Sequence, residues 1–330
     1  MRNTMNAIAR YLTILLCLVA TACQERPAID FDRVEALMDP HPDSALALLD
    51  TLHAEPQHYT AKDRARYYLL LTEAMDKCFL THTTDSLIRL SAEYYEQHND
   101  RHHYAKALYL QGRIYEDWRE NEQSAACWVK ALDYGKDSED HYLLYRIAYR
   151  LATLYAYHGI ADRAMDLYKE TLRYAVKTQD SGLIALGHSY IGRVYGMKKD
   201  WANASIWYEK GLAISREAQC KNDHQAVLQE YIGICSDNRL YAKVDSFIMV
   251  LDSDPEFERD APYYLCVGDY YRLRKDTARA VPFLLQALTM RGNIYTKKVA
   301  CQALSYLYDS FGQPQLALHY DDLYHSYVDS

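Results

Sequence analysis

The fold is decided by the stretch from Tyr104 to Tyr134, YAKALYLQGRIYEDWRENEQSAACWVKALDY. Apolar residues recur every three to four positions in both halves of it, which predicts two amphipathic helices joined by a tight turn. On the first helix a small residue and a tyrosine stand three positions apart, and this pair returns twice at a step of 40 residues. The three copies are Gly112 with Tyr115, Ala152 with Tyr155, and Gly192 with Tyr195. A fixed step of this size marks a repeat architecture.

The composition favours a folded, helical chain. Of the 330 residues, 49% are hydrophobic and 25% are charged, and only 12 Gly and 8 Pro occur. The 32 tyrosines greatly outnumber the 6 phenylalanines. A tyrosine buries its ring while its hydroxyl reaches water or a partner, and this suits thin helical layers in which most residues lie near a surface.

The charge of the chain argues against nucleic acid as a partner. The net charge is −8, the isoelectric point is about 5.9, and Lys and Arg form no cluster or stripe. Binding to a nucleic acid backbone needs a basic surface. We therefore expect no nucleic acid partner.

The N-terminus reads as a targeting segment. Residues 1–22 carry Arg2 and Arg10, no acidic residue, and the short apolar run Tyr11–Ala20, which is typical of a secretory signal. The segment ends Ala20-Thr21-Ala22-Cys23 and resembles the lipobox of bacterial lipoproteins.

That resemblance implies a lipoprotein signal peptide over residues 1–22, lipid attachment at Cys23 and a tether over residues 23–29. Several acyl chains on one residue anchor a protein stably. Because Gln24, and not Asp, follows the cysteine, analogy with lipoprotein sorting favours the outer membrane. The alternative is an ordinary cleaved signal in which Cys23 plays no part.

Six further cysteines are spread along the chain without a C-x-x-C pair: Cys78, Cys127, Cys220, Cys235, Cys266 and Cys301. Most sit inside apolar helical patterns, so we interpret them as buried small hydrophobic residues. A metal site needs clustered ligands, and the sequence predicts none.

Eight helix pairs are predicted over residues 30–330. The helices or pairs are Asp32–Met38, Ser44–Leu52 with Asp43 as its N-cap, Lys62–Lys77, Asp85–Gln97, Tyr104–Tyr134, His141–Val176, Leu183–Ala218, Gln225–Leu251, Tyr263–Met290 and Tyr295–Tyr327. No strand-like alternation persists between them.

The repeated positions resemble the tetratricopeptide repeat. That family places a small residue and an aromatic three apart on its first helix, helix A, and a small, a bulky and a second small residue on helix B. The third pair matches with Gly112, Tyr115, Ser124, Trp128 and Ala131. The period here is 37–40 residues, against about 34 in the family. The proline that usually closes helix B is absent.

The resemblance implies an all-α, right-handed superhelical solenoid of about eight antiparallel helix pairs over residues 30–330. Small residues stand where helices A and B cross, and aromatic residues fill the wedge between pairs. The positions expected to serve this packing are Gly112, Tyr115, Ala152, Tyr155, Gly192, Tyr195, Ala204, Gly268, Tyr271 and Ala280.

No catalytic motif is present in the sequence. A Gly-rich phosphate loop, a G-x-S-x-G elbow and an H-E-x-x-H pair are all missing, and the 13 histidines are scattered. We therefore expect a protein that is not an enzyme and that needs no cofactor or metal.

A binding groove is the remaining candidate for function, since helix A lines the concave surface in the family. The groove residues predicted from the repeat register are Tyr109, Arg113, Glu116, Arg146, Tyr149, Thr153, Ser189, Arg193, Asp269 and Arg272. Tyr and Arg are enriched at binding surfaces. The alternative is that these are ordinary exposed helix positions. Arg113, Thr153 and Arg193 stand where the peptide-clamping members of the family have Asn, so that specificity does not carry over.

The sequence thus predicts a lipid-anchored scaffold, facing the periplasm or the cell surface, that binds a protein or peptide in the bacterial cell envelope. One alternative is the sensor part of a signalling regulator, since similar arrays occur in bacterial regulators. Another is a SusD-like glycan-binding lipoprotein, although the links between helices here are shorter than in that class.

Overall fold

A computed structural model describes residues 30–52, 59–253, 257, 259–290 and 294–328. The predicted signal peptide of residues 1–22, Cys23 and the tether of residues 23–29 lie outside these ranges. The chain divides into two compact units, residues 1–135 and 136–330, and each has its own helix pairs.

The described part of the first unit contains six helices in three pairs. They are α1 (Phe31–Met38), α2 (Pro42–Leu52), α3 (Ala61–Lys77), α4 (Ser86–Gln97), α5 (Arg101–Asp117) and α6 (Asn121–Gly135).

The described part of the second unit contains ten helices in five pairs. They are α7 (His141–Tyr157), α8 (Ala161–Thr178), α9 (Ser181–Met197), α10 (Trp201–Glu217), α11 (Lys221–Asp237), α12 (Tyr241–Ser253), α13 (Ala261–Leu273), α14 (Thr277–Thr289), α15 (Ile294–Ser310) and α16 (Pro314–Val328).

The prediction of an all-α array of eight helix pairs is confirmed for the described residues, which include no strand. None of the helices in these ranges is long and apolar enough to cross a membrane. The six described cysteines outside the N-terminal segment are free; Cys235 and Cys301 are buried and the others are partly buried.

Aspartates set the starts of most first helices, which we call A helices. Asp100, Asp140, Asp180 and Asp260 accept hydrogen bonds from the backbone N–H groups of His103, Leu143, Leu183 and Tyr263, at 3.1, 2.9, 3.0 and 2.8 Å. Each bond satisfies one of the unpaired donors of a helix N-terminus. The equivalent residue of α11, Cys220, has the backbone conformation of Asp100 and Asp140 but makes no side-chain cap.

These starts correct several predicted boundaries. Helices α5, α9, α11 and α13 begin two to four residues before their predicted starts, directly after the cap position. The predicted N-cap at Asp43 is also wrong. Helix α2 begins at Pro42, which places Asp43 in the first turn. Proline is well suited to a first helical position because its missing N–H would have no partner there.

Small residues lie where the two helices of a pair cross. A Cβ added to Gly112 would lie 2.6 Å from Cδ1 of the buried Trp128 on the partner helix. A Cβ on Gly192 would lie 2.9 Å from Cδ2 of Tyr208, and the same relation joins Gly268 to Leu284 at 2.9 Å. In each pair the bulky side chain of the second helix fills the space that the missing side chain leaves.

The other predicted packing residues lie around these crossings. Ala152, Ala204, Tyr271 and Ala280 are buried, while Tyr115, Tyr155 and Tyr195 are half-buried. Tyr115 donates from its hydroxyl to Oδ2 of Asp85 at 2.9 Å, which ties α5 to the start of α4.

Candidate functional site

Four A helices of the second unit form a continuous row. Helix α9 packs against α11, α11 against α13, and α13 against α15. One side of this row carries Arg193, Glu230, Gly233 and Asp269, and we call this side of α9, α11 and α13 the A-helix face. Gly196 and Ile234 hold the first two helices close, since a Cβ on Gly196 would lie 3.1 Å from Ile234 Cγ2.

Arg193 is the centre of a polar network on this face. Its Nε donates to Glu230 Oε1 at 2.6 Å, and its Nη1 donates to the hydroxyl of Tyr168 at 3.1 Å. The guanidinium carbon lies 5.2 Å from the ring centre of Tyr190, within the range of a cation–π contact. The described residues provide no acceptor for Nη2 of Arg193, and the side chain is 26% exposed. Nε and Nη1 are therefore held, whereas Nη2 has no hydrogen-bond partner among the described residues.

Glu230 joins three helices through its carboxylate. Besides Arg193, it accepts from the hydroxyl of Tyr208 at 2.9 Å and from Ser189 Oγ at 3.3 Å. Its side chain is 20% exposed. The sequence reasoning missed Glu230. The sequence feature that could have identified it is its negative charge, which stands 37 residues after the positive charge of Arg193, about one repeat further along the chain.

The network continues into α7 and α8. Thr153 Oγ1 and Tyr168 OH are 3.0 Å apart, and the rings of Tyr149 and Tyr168 lie 4.7 and 5.3 Å from that of Tyr190. These aromatic contacts hold the rings of Tyr168 and Tyr190, which the Arg193 guanidinium contacts.

The protonation states in the network follow from burial and charge. Burial lowers the pKa of Arg193, but the charge and hydrogen bond of Glu230, together with the neighbouring tyrosines, raise it further, so the net pKa is raised and the guanidinium stays charged. Burial, and then the Glu230 charge, raise the pKa of Tyr208 well above its ordinary value. Burial also raises the pKa of Tyr168, against the opposing effect of Arg193. Both phenols therefore remain neutral near neutral pH.

Carboxylates collect on the neighbouring part of the face. Burial and then the charges of Asp269, Asp260, Asp237 and Glu230 raise the pKa of the Cys266 thiol to about 12. Asp269 is paired with Arg272 on the same helix at 2.5 Å. Burial and the charge of Asp269 raise the pKa of Asp237.

Two predicted groove residues do not lie on an exposed surface. Tyr109 is 2% exposed and Ser189 is 0% exposed. Both stand three residues before a small crossing residue, Gly112 or Gly192, and residues three apart share a helix face. That face packs into the core, so the expectation that Tyr109 and Ser189 line an open groove is wrong. Tyr149, at the same repeat position, is half-buried.

The predicted groove residues of the first unit form a closed group. Arg113 donates from Nε to Asp76 Oδ1 at 3.0 Å, pairs through Nη1 with Glu116, and has Nη2 3.7 Å from Asp117. All three nitrogens of this guanidinium thus face carboxylates. Arg113 and Arg193 occupy the same repeat position, but of the two only Arg193 keeps an open edge.

Arg146, the remaining predicted residue, lies with its guanidinium carbon 5.8 Å from the ring centre of Tyr142 on its own helix. Within the described ranges no group of three or more His, Cys, Asp or Glu side chains is arranged to hold a metal ion. The A-helix face thus offers a guanidinium edge, carboxylates and aromatic rings, which are groups suited to recognition.

Comparison with known proteins identifies the class of the fold. No protein-family model and no curated protein matches the chain. Among solved structures, the apo quorum sensor NprR from B. thuringiensis matches with a TM-score of 0.69 and 15% identity, over 98% of this chain and 95% of that one. A Rap protein complexed with competence and sporulation factor matches with a TM-score of 0.56 and 12% identity, over 98% and 93%.

A tetratricopeptide repeat protein from Parabacteroides merdae ATCC 43184 matches with a TM-score of 0.55 and 14% identity, over 82% of this chain and 96% of that one. This chain has a tetratricopeptide-repeat fold. At these identities the likeness extends to the fold alone. Arg193, Glu230, Gly233 and Asp269 accordingly lie on the A helices of three successive tetratricopeptide units.

Proposed function

We propose that the tetratricopeptide array binds a peptide, or an extended segment of a protein, on the A-helix face of its second unit. The observation that supports this most strongly is the Arg193 guanidinium. Glu230, Tyr168 and Tyr190 hold it in place, and its Nη2 edge is left without a partner among the described residues. An arginine fixed in this way loses little side-chain entropy on binding.

The solved structures support the same class of function. NprR is described as a quorum sensor, and the Rap protein was solved with competence and sporulation factor. A sensor role is therefore the second candidate. In that case, the bound peptide would regulate a further component. Both candidates require the same binding step, and only the sensor role requires that binding change the activity of another molecule.

The proposal also places the array in the bacterial cell envelope. Its support is the sequence of residues 1–23, with a basic start, an apolar run and Ala20-Thr21-Ala22-Cys23. Lipid on Cys23 would hold the array at a membrane, with the outer membrane favoured. Metabolic labelling with a fatty-acid probe tests this: we expect label on the native chain and none on Cys23→Ala. Equal labelling of the two would contradict the anchor.

Peptide binding is tested with a pool of synthetic octapeptides of random sequence and free termini. The full-length chain, purified in detergent, is incubated with the pool, and retained peptides are identified by mass spectrometry. We expect the native chain to retain a subset that Arg193→Gln does not, because loss of a charged hydrogen-bond donor removes an anchor.

The matched control is Arg173→Gln. Arg173 lies on α8, is 70% exposed and pairs with Glu170 of the same helix. This variant should retain the same subset as the native chain. If the native chain retains no peptide, the proposed function is wrong. If Arg193→Gln retains the full subset, binding takes place elsewhere on the array.

A further inference from the structure

Gly233 lies within helix α11, and no neighbouring atom would clash with a larger side chain's Cβ there. A Cβ built there would meet no atom within 4 Å. Among the glycines whose surroundings are described, only Gly159 and Gly312 share that open space, and both have positive φ values that favour glycine. Gly233 is helical, and in a helix interior glycine is a poorer choice than alanine. Neither packing nor backbone conformation accounts for it.

The other glycines of the A helices show the contrast. Gly112, Gly192 and Gly268 each face a bulky side chain that occupies the place of their Cβ. Gly233 faces open space, so the lack of a side chain leaves the backbone of α11 uncovered at that point. A glycine that lowers helix propensity and faces open space is explained if a ligand approaches the backbone of the helix closely at that point.

The position of Gly233 identifies the surface that it leaves uncovered. It follows Glu230 by three residues and precedes Asp237 by four, and such positions share one face of a helix. Glu230 holds Arg193, so the open Nη2 edge of Arg193 lies beside the same part of α11. On the other side, the paired Asp269 and Arg272 stand on α13. The uncovered backbone at Gly233 thus lies between the Arg193 guanidinium on one side and the carboxylate of Asp269 on the other.

We propose that Gly233 is the floor of a subsite in which the main chain of a bound peptide crosses α11, with a carboxylate of that peptide on Nη2 of Arg193. The carboxylate belongs to an acidic side chain or to the peptide C-terminus, and it is the complement of a guanidinium edge. Glu230 and Tyr168 act as positioning residues for Arg193. This inference rests on the proposed peptide-binding function and specifies its ligand class.

The first test separates stability from binding at Gly233. In Gly233→Ala the added Cβ meets no atom within 4 Å, and both Ala and Gln have a higher helix propensity than Gly, so we expect the denaturant midpoint of Gly233→Ala and of Gly233→Gln to rise. Retention of the octapeptide pool should fall, by about tenfold for the Gln variant, because the added side chain fills the floor. Ala202→Gln, at an exposed position of α10, should leave retention unchanged and lower the midpoint slightly, since Gln has a lower helix propensity than Ala.

The second test concerns the carboxylate. A matched octapeptide pool is made without Asp and Glu and with C-terminal amides, so that it carries no carboxylate. We expect the native chain to retain the carboxylate-bearing pool about tenfold better than the amide pool, and Arg193→Gln to lose that preference.

The outcomes distinguish the subsite at Gly233 from peptide binding in general. If the native chain retains peptides, but equally from both pools or equally in the Gly233 variants, the subsite is overturned and the proposed function stands. If no pool is retained, both are overturned. A Gly233→Ala variant that unfolds more easily than the native chain would also contradict the open floor.

Discussion

Arg193 on α9 and Glu230 on α11 form a 2.6 Å ion pair between successive repeats, and both side chains are largely withdrawn from water. Each partner has further hydrogen bonds, to Tyr168 on one side and to Tyr208 and Ser189 on the other. Because an isolated charge in such a place is costly, the pair is expected to couple the two repeats strongly.

Replacing Glu230 by Gln should therefore destabilise the second unit by about 2 kcal/mol, since it leaves the Arg193 charge without its carboxylate. Urea unfolding followed by circular dichroism measures the change. The comparison variant is Glu170→Gln, which removes the partner of the exposed Arg173 and should alter the unfolding free energy by less than about 0.5 kcal/mol. Equal effects of the two substitutions would show that the network adds no coupling.

The crossing of α5 and α6 gives a second prediction. Gly112→Ala would drive a methyl group into the indole of Trp128, which is buried and donates from Nε1 to the backbone oxygen of Tyr109 at 3.1 Å. We expect a loss of about 1–3 kcal/mol from overpacking. Differential scanning calorimetry should detect it as a lowered transition temperature. An unchanged transition would mean that the indole moves aside freely.

The third prediction concerns helix α11, whose N-terminus lacks a side-chain cap. Cys220→Asn should stabilise the chain by about 1 kcal/mol, because the backbone at Cys220 already has the conformation of the capped helices and lacks only an acceptor for the first turn. Cys220→Ala, which cannot cap, should bring no such gain. The reverse change at a working cap, Asp200→Ala, should cost a similar amount, since Asp200 accepts from the N–H of Asn203. An unchanged midpoint for Cys220→Asn in denaturant melts would show that a cap adds nothing at this position.

A buried histidine makes the first unit sensitive to pH. His82 is 6% exposed, and burial lowers its pKa below the ordinary 6.5. The charges of Asp76 and Asp117 raise this pKa and that of Arg113 lowers it, but burial has the largest effect. The unfolded chain thus takes up a proton at a higher pH than the folded chain. Stability is complete above pH 6.5 and is lost as the pH falls from 6.5 towards the folded-state pKa.

Thermal melts between about pH 7.5 and pH 5.5 test this. The melting temperature of the native chain should fall over this range, and that of His82→Gln should fall less. Native and variant chains with parallel pH profiles would assign the effect to other groups, of which His188 and His224 in the second unit have pKa values that burial also lowers.

Sequence reasoning reached the helix pairs because their packing is local and repeats. The small residue of one helix and the bulky residue of the next, such as Gly192 and Tyr208, lie within one repeat and recur at a fixed step. It placed the starts of α5, α9 and α13 two or three residues too late, at Tyr104, Leu183 and Tyr263. The overlooked signal was the capping aspartate before each of these helices, at positions 100, 180 and 260.

The site was harder to predict because it depends on relations between repeats. The sequence offers Arg113 and Arg193 as equivalent residues, yet Asp76, Glu116 and Asp117 enclose the first and Glu230 leaves the second with a free edge. Whether a charge is enclosed depends on the rotation of each helix about its axis. The repeat register does not specify that rotation closely enough.

The central claim, that the A-helix face of the second unit binds peptide, is tested most directly by amide hydrogen exchange. The exchange of the full-length chain is measured by mass spectrometry with and without a saturating amount of a peptide selected from the octapeptide pool. We expect slowed exchange in α9 and α11 around Arg193 and Gly233, and no such change in α8 and α10. Slowed exchange confined to other helices, or none at all, would contradict the claim.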